Sequence, residues 1–310
     1  LPLHLGQWAR EAGDEPSYVA HPPRALGGAA PSSALRAVEQ ELPGPVTWVA
    51  PRTQRTRVPV AAQFSSLIEL ARIRRAALPA LAAADVVHVH SNGMLPEASA
   101  LLAARLGKPF VLTLYGTEIW HYRRRRFGVD LFTRAYRAAS HVTFYSGFLR
   151  DRAMEFGLQR SGLSVVYPPV AAYFTRRDEA ARQAARSELG LRESNILVNV
   201  KRLHPLAGQR RLIDAMPEIL RAHPDTRVVI CGTGPLRDEL LARAAELGVA
   251  ASLTLTGLVD NRTVAKYQEA ADLFVLPSEL EALPTVAIEA MASGTPVLST
   301  DNPGGIELGR

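Results

Sequence analysis

The chain has 310 residues, 47% hydrophobic and 21% charged, which is enough apolar material for two globular domains and excludes a fibre or a disordered tail. A single cysteine, Cys231, excludes a disulfide scaffold and a four-cysteine zinc module, and its apolar surroundings suit a reduced core thiol in a cytosolic protein. The net charge of +6 is uneven: residues 1–175 hold 20 Lys and Arg against 12 Asp and Glu, a net of +8, so the first half suits an anionic partner.

In chain order, residues 1–12 read as an amphipathic helix ending at Gly13, followed by short strands at 17–21 and 46–50. A long helical stretch, 61–84, carries an interruption at Pro79. Strand 85–90, helix 95–106, strand 109–114, a helix near 129–139, strand 141–145, helix 147–156 and strand 164–167 follow. Pro168 and Pro169 break the rhythm, which places a linker at 171–178 between domains 1–170 and 179–310. The second domain repeats the alternation with strands at 196–200, 227–231, 252–256, 273–277 and 296–300. Its helices fall at 209–222, 235–247, 262–270 and 283–292. Apolar strands alternating with helices predict an α/β fold of two doubly wound, Rossmann-like halves. Both ends read as truncated: the chain opens inside a helix, without a first strand, and stops after Thr300 without a closing helix. No apolar run of about 18 residues predicts a membrane span, and no signal-peptide pattern is read at the start.

Four groups of residues carry candidate chemistry. Gly232 and Gly234 follow a strand and open a helix, where backbone N–H groups can approach a phosphate; a plain tight turn is the alternative. Lys201 and Arg202 end another strand, and a guanidinium there can hold a diphosphate; otherwise it is a surface arginine. Glu281 and Glu289, seven residues between them, can accept hydrogen bonds from sugar hydroxyls or stand as two solvated glutamates. His88 and His90 share a strand face, but no third and fourth ligand accompanies them, so no metal is expected.

The string Pro277-Ser278-Glu279-Leu280-Glu281, then Leu283-Pro284, Ile288-Glu289-Ala290-Met291-Ala292, Gly294 and Pro296-Val297, resembles the retaining glycosyltransferases of family 4. Arg202-Leu203, the Gly232-x-Gly234 turn and Thr256-Gly257-Leu258-Val259 fall in the same order and spacing as in that family. In the first domain the resemblance rests on residues 85–90 and 112–118. It implies the GT-B fold, two Rossmann-like domains facing across a cleft, and a hexosyltransferase-type enzyme. That enzyme would move a sugar from a nucleoside-diphosphate sugar to a hydroxyl of a lipid-linked or polysaccharide acceptor, with retention and without metal or cofactor.

By the resemblance, Arg202 and Glu281 are catalytic: Arg202 neutralises the leaving diphosphate and Glu281 lies near the donor-sugar hydroxyls. Glu289 would hold the ribose, main-chain groups near Val259 the base, and Gly232, Gly234, Leu283 and Pro284 complete the donor site. His90, Tyr115 and Glu118 would line the acceptor side. The alternatives are a non-catalytic nucleotide-sugar-binding or scaffold protein of the same fold, and a GT-B nucleotide-sugar epimerase.

Three departures stand out. Ala207 occupies the place of a family lysine; Lys201, Arg210 and Arg211 are the candidate substitutes, with Arg210 or Arg211 preferred because Lys201 is expected to start on the face opposite Arg202. Tyr115 stands where a histidine is common, and the family's first strand and glycine-rich loop are absent. Arg123, Arg124, Arg125 and Arg126 form the densest basic run, suited to anionic lipid head groups or to a solvated face. The expected location is cytoplasmic, peripheral on the inner face of the membrane. With only 6% aromatic residues, no nucleic-acid partner is expected.

Overall fold

The computed structural model describes residues 2–21, 24–25, 28–29, 36, 39–49, 59–91, 93–123, 129–176 and 178–309. The chain divides into two compact units, Leu1–Pro169 and Val170–Arg310.

In the first unit, helix α1 (Pro2–Glu11) precedes β1 (Tyr18–Ala20), the short hairpin β2 (Arg24–Ala25) and β3 (Gly28–Ala29), and β4 (Val46–Trp48). Helix α2 (Pro59–Ala83) then leads to β5 (Val87–His90), α3 (Met94–Arg105), β6 (Phe110–Leu114), α4 (Thr117–Trp120), α5 (Leu131–Ala138), β7 (His141–Phe144), α6 (Gly147–Glu155) and β8 (Leu163–Val165). β5, β6, β7 and β8 form a parallel sheet in that order, while β1 pairs with β4 in a separate parallel pair. Helical crossovers are what parallel neighbours require. The apolar run Phe110, Leu112, Leu114 is almost completely buried, as a strand covered on both faces must be.

The break expected at Pro79 does not occur: α2 continues through it. Proline removes one helical N–H bond, but Ile73, Ala77 and Leu81 are buried on both sides of it, and Ile73 packs with Leu95 of α3. Tertiary packing overrides the local penalty.

The second unit contains α7 (Glu179–Glu188), β9 (Asn195–Val200), α8 (Gln209–Ala222), β10 (Thr226–Cys231), α9 (Arg237–Glu246), β11 (Leu253–Gly257), α10 (Asn261–Ala270), β12 (Leu273–Leu276), α11 (Thr285–Ala292), β13 (Val297–Ser299) and α12 (Pro303–Leu308). Its five strands are parallel in the order β11-β10-β9-β12-β13. The chain winds outward from β9 to one side and then returns to the other, so the sheet is doubly wound with its switch point between β9 and β12.

Each sheet face has its own core. Val228 and Ile230 of β10 pack with Leu212, Ile213 and Met216 of α8 and Leu240 of α9. Val229 and Cys231 alternate to the other face, with Phe274, Ala287 and Ala290. Cys231 is thus a core thiol, and burial pushes it up to about 11.

Two helices depart from the sequence expectation. α7 fills the start of the second domain, residues 179–188, where no element was expected. It is alanine-rich, Asp178 caps it by accepting from the Ala181 N–H at 2.8 Å, and Arg186 anchors it by donating to Asp272 Oδ2 at 2.6 Å. The expected lack of a helix after Thr300 is corrected by α12. Asn302 Oδ1 accepts from Gly305 N–H at 2.9 Å, and Pro303 occupies the first turn, so the cap overcomes the two glycines.

Glycine acts by close approach at one turn in particular. Gly208, at φ 71°, precedes α8, and a Cβ there would lie 1.9 Å from the Pro277 carbonyl oxygen. Gly190, at φ 68° after α7, has nothing within 4 Å of the same position. Gly190→Ala should therefore cost about 1 kcal/mol of backbone strain alone. Gly208→Ala should cost about 1–3 kcal/mol more, because the two loops must separate. Urea unfolding of both variants checks this; equal destabilisation would refute the close-contact account.

Candidate functional site

Three loops meet at the carboxyl ends of β9, β10 and β12, where an open α/β sheet offers its binding crevice. The first runs from Lys201 to Gly208, the second covers 232–236, and the third covers 277–284. The first two continue the strand pairing: Lys201 N–H donates to Cys231 O, and Leu203 N–H to Thr233 O, both at 3.0 Å. They approach so closely that a Cβ on Gly232 or Gly234 would lie 2.1 Å from the Lys201 or Leu203 carbonyl oxygen, respectively. The Gly232 N–H, read from sequence as a phosphate donor, is spent on Gly257 O at 2.9 Å. Glycine is needed at 232 for packing.

The third loop is pinned from both sides. Glu279 N–H donates to Leu206 O at 2.9 Å, Gly304 N–H to Glu281 O at 2.9 Å, and Asn302 Nδ2 to Ser278 O at 3.2 Å. Leu283 and Pro284 are buried, so only their main chain can face a ligand.

The charged groups sort by their partners. Lys201 Nζ lies 2.6 Å from Oε1 of the buried Glu281, joining the ends of β9 and β12 across the switch point. The other two candidates for the missing lysine, Arg210 and Arg211, are paired with carboxylates as well. Arg210 lies 3.1 Å from Glu239 and 3.9 Å from Asp214, and Arg211 lies 2.8 Å from Glu279, all on exposed surface. Arg202 is exposed; Gln209 Nε2 fixes its carbonyl at 3.1 Å. Ala207 is buried, with no charge to offer.

Glu289 stands a little over one turn into α11, which starts at Thr285 and not at the expected residue 283. It is half-buried, and burial pushes its carboxyl from 4.5 to about 7. No side chain caps α8, α9 or α11, the helices that follow these three loops. Asp178, Asp260 and Asn302 cap α7, α10 and α12. Uncapped first turns leave N–H donors and a positive field at this edge. Val259 packs into the core beside Val200, next to the exposed Leu258.

In the first unit, the rings of His88 and His90 stack at 4.1 Å. His88 Nε2 lies 2.7 Å from Thr113 Oγ1, and His90 Nδ1 lies 2.5 Å from the Tyr115 hydroxyl. Burial, with His88 adding to it, pushes His90 down to about 3, and burial pushes Tyr115 above the ordinary tyrosine range, so both are neutral near pH 7. Glu118 is buried: Oε2 accepts from Gly116 N–H at 2.7 Å and Tyr115 N–H at 3.3 Å, while Oε1 has no hydrogen-bond partner among the described residues. It lines a polar cavity of about 420 Å³ with His121, Tyr122 and Arg123. Arg123 is exposed; Arg124, Arg125 and Arg126 lie outside the described residues. A larger cavity, about 620 Å³, is apolar, lined by Leu197, Leu212, Ile219 and Leu298, and Arg211 is the one candidate residue on its wall.

Among the described residues no three His, Cys, Asp or Glu side chains are grouped to hold a metal ion, and no helix is long and apolar enough to cross a membrane.

Residues 3–172 match the family described as Glycosyltransferase Family 4, and residues 181–308 match Glycosyl transferases group 1. The chain belongs to this glycosyltransferase family, of the GT-B fold. TuaC of Bacillus subtilis, named as a teichuronic acid biosynthesis glycosyltransferase, is 33% identical over 70% of this chain and 53% of its own length. The GDP-mannose-dependent alpha-(1-6)-phosphatidylinositol monomannoside mannosyltransferase of Mycolicibacterium smegmatis is 34% identical over 52% of this chain and 44% of its own. The chain thus spans about half the length of these relatives. Anabaena HepE, solved in complex with UDP, shares the fold at a TM-score of 0.69 and 19% identity, covering 94% of this chain and 82% of HepE.

The Glu289 environment predicts a pH effect. A carboxyl whose folded value lies above its unfolded value stabilises the fold fully below about 4.5, and that contribution is lost as pH rises through about 7. Glu289→Gln, permanently neutral, should match the parent near pH 4.5 and exceed it at pH 8. The gain in melting temperature should be about 2–4 °C per kcal/mol recovered. Thermal melts at the two pH values check this; a variant no more stable than the parent at pH 8 would contradict it.

Proposed function

We propose that this chain is a retaining glycosyltransferase of hexosyltransferase type, taking a sugar from a nucleoside-diphosphate donor to a hydroxyl acceptor. One observation carries the reading: three helix starts without side-chain caps follow a strand edge that also presents the exposed Arg202. Such an edge suits a diphosphate better than any neutral ligand. The GDP-mannose in one relative's name and the UDP-glucose in a solved complex of HepE point the same way.

In this reading Arg202 and the open amides take up the charge that grows on the leaving diphosphate, an interaction stronger in the transition state than in the ground state. Glu289 accepts hydrogen bonds from the ribose, main chain near Val259 meets the base, and Glu281 meets a donor-sugar hydroxyl. His90, Tyr115 and Glu118 serve the acceptor. A neutral His90 and a neutral Tyr115 can orient a hydroxyl but are poorly matched to take its proton at pH 7. That favours attack on the same face as the leaving diphosphate, whose oxygen can receive the proton, with no metal required. The acceptor is a lipid-linked or polysaccharide intermediate, and the basic first half sits on an anionic inner membrane surface. A non-catalytic binder is the second reading, favoured by the buried Ala207 in place of a charge.

Release of nucleoside diphosphate from a panel of UDP, GDP and ADP sugars separates the two. Steady, acceptor-dependent release supports the transferase; binding without turnover supports the binder. Arg202→Ala should lower kcat/KM by at least about 10²-fold, roughly 2.7 kcal/mol. Glu289→Ala should weaken nucleotide binding by about 1.5–3 kcal/mol, read by calorimetry. An Arg202→Ala variant with unchanged turnover would remove the diphosphate assignment.

A further inference from the structure

We propose that Lys201 is a positioning residue for Glu281: its ammonium fixes the orientation of that carboxylate and so sets the preference for a nucleotide sugar over the bare nucleotide. The inference rests on the reading that Glu281 meets a donor-sugar hydroxyl.

Both partners leave rigid backbone. Lys201 is tied by its N–H to Cys231 O at 3.0 Å, and its carbonyl is packed against Gly232. The Glu281 carbonyl accepts from Gly304 N–H at 2.9 Å, and Gly304 packs against the Glu281 Cβ, so a methyl there would approach to 2.9 Å. With main chain and Cβ fixed, the remaining freedom of Glu281 is in its side-chain torsions. The ammonium settles these at 2.6 Å from Oε1.

A buried carboxylate without a countercharge is costly, so the pair is a standing feature of the fold. Two other cations of this edge are paired elsewhere, Arg211 with Glu279 and Arg210 with Glu239. The contact at Oε1 is an ion contact outside hydrogen-bond geometry, and an ionised carboxylate has about four acceptor sites. One lysine therefore orients the group and leaves it able to accept from a hydroxyl.

The test is calorimetry with UDP against UDP-glucose and GDP against GDP-mannose, using the pair the chain binds, together with kcat and KM. Glu281→Gln should lower affinity for the nucleotide sugar about tenfold and leave the bare nucleotide within about twofold. Lys201→Met should do the same, Lys201→Arg should restore most of the loss, and the double variant should be no worse than Glu281→Gln alone. Lys201→Met strands a buried charge and is the variant that can fail to fold; the double variant carries neither charge and keeps the comparison open. If Lys201→Met weakens the bare nucleotide as much as the nucleotide sugar, and adds to Glu281→Gln, the lysine contacts the diphosphate. The inference then fails while the Glu281 reading stands. If Glu281→Gln leaves the sugar preference intact, the Glu281 reading fails and the inference falls with it. A chain that binds neither pair refutes both.

Discussion

Backbone approach at the carboxyl edge of the second sheet is the constraint on which the site depends. Gly232 and Gly234 admit the carbonyls of Lys201 and Leu203, and Gly208 admits that of Pro277. Side chains at these positions would force the loops apart, since each added Cβ would fall near 2 Å from a carbonyl oxygen. Because the loops close, Lys201 reaches Glu281 and Glu279 N–H reaches Leu206 O, at the edge where α8 and α9 start on one sheet face and α11 on the other. Glycine here serves packing first, and the chemistry follows from what the packing brings together.

The electrostatics of that edge are built from unlike parts. Uncapped helix starts provide diffuse positive potential, and Arg202 provides an exposed guanidinium. Against these stand two carboxylates in different states: Glu281 with a lysine in contact, and Glu289 half-buried and raised to about 7. A carboxyl of that kind gains most from a partner that can donate hydrogen bonds, because its burial already carries the desolvation cost.

The first unit shows another solution. His90 and Tyr115 share a hydrogen bond at 2.5 Å and are both held neutral by burial, one below and one above the ordinary range. Glu118 keeps one carboxylate oxygen on two main-chain N–H groups, and the other, beside a polar cavity, has no partner among the described residues. Orientation rather than proton transfer is what such a group set offers.

Much of the architecture was legible in the sequence. Alternation of apolar strands with helices placed β9 to β13 to within a residue or two, because their side chains must cover two faces at once. The Gly-x-Gly turn and the two glutamates were readable as motifs, and the positions of Arg202 and Glu289 followed from strand and helix ends. What local pattern could not supply was contact between loops distant in sequence. The continuity of α2 through Pro79 rests on Ile73 packing against Leu95, and α12 rests on a cap plus a bond from Gly304 to Glu281. The pairing of Lys201 with Glu281 spans 80 residues of sequence, and no local period names that partner. The sheet order, which sets β9 beside β12, decides whom the side chain meets, and that order is fixed only when the two distant strands pair.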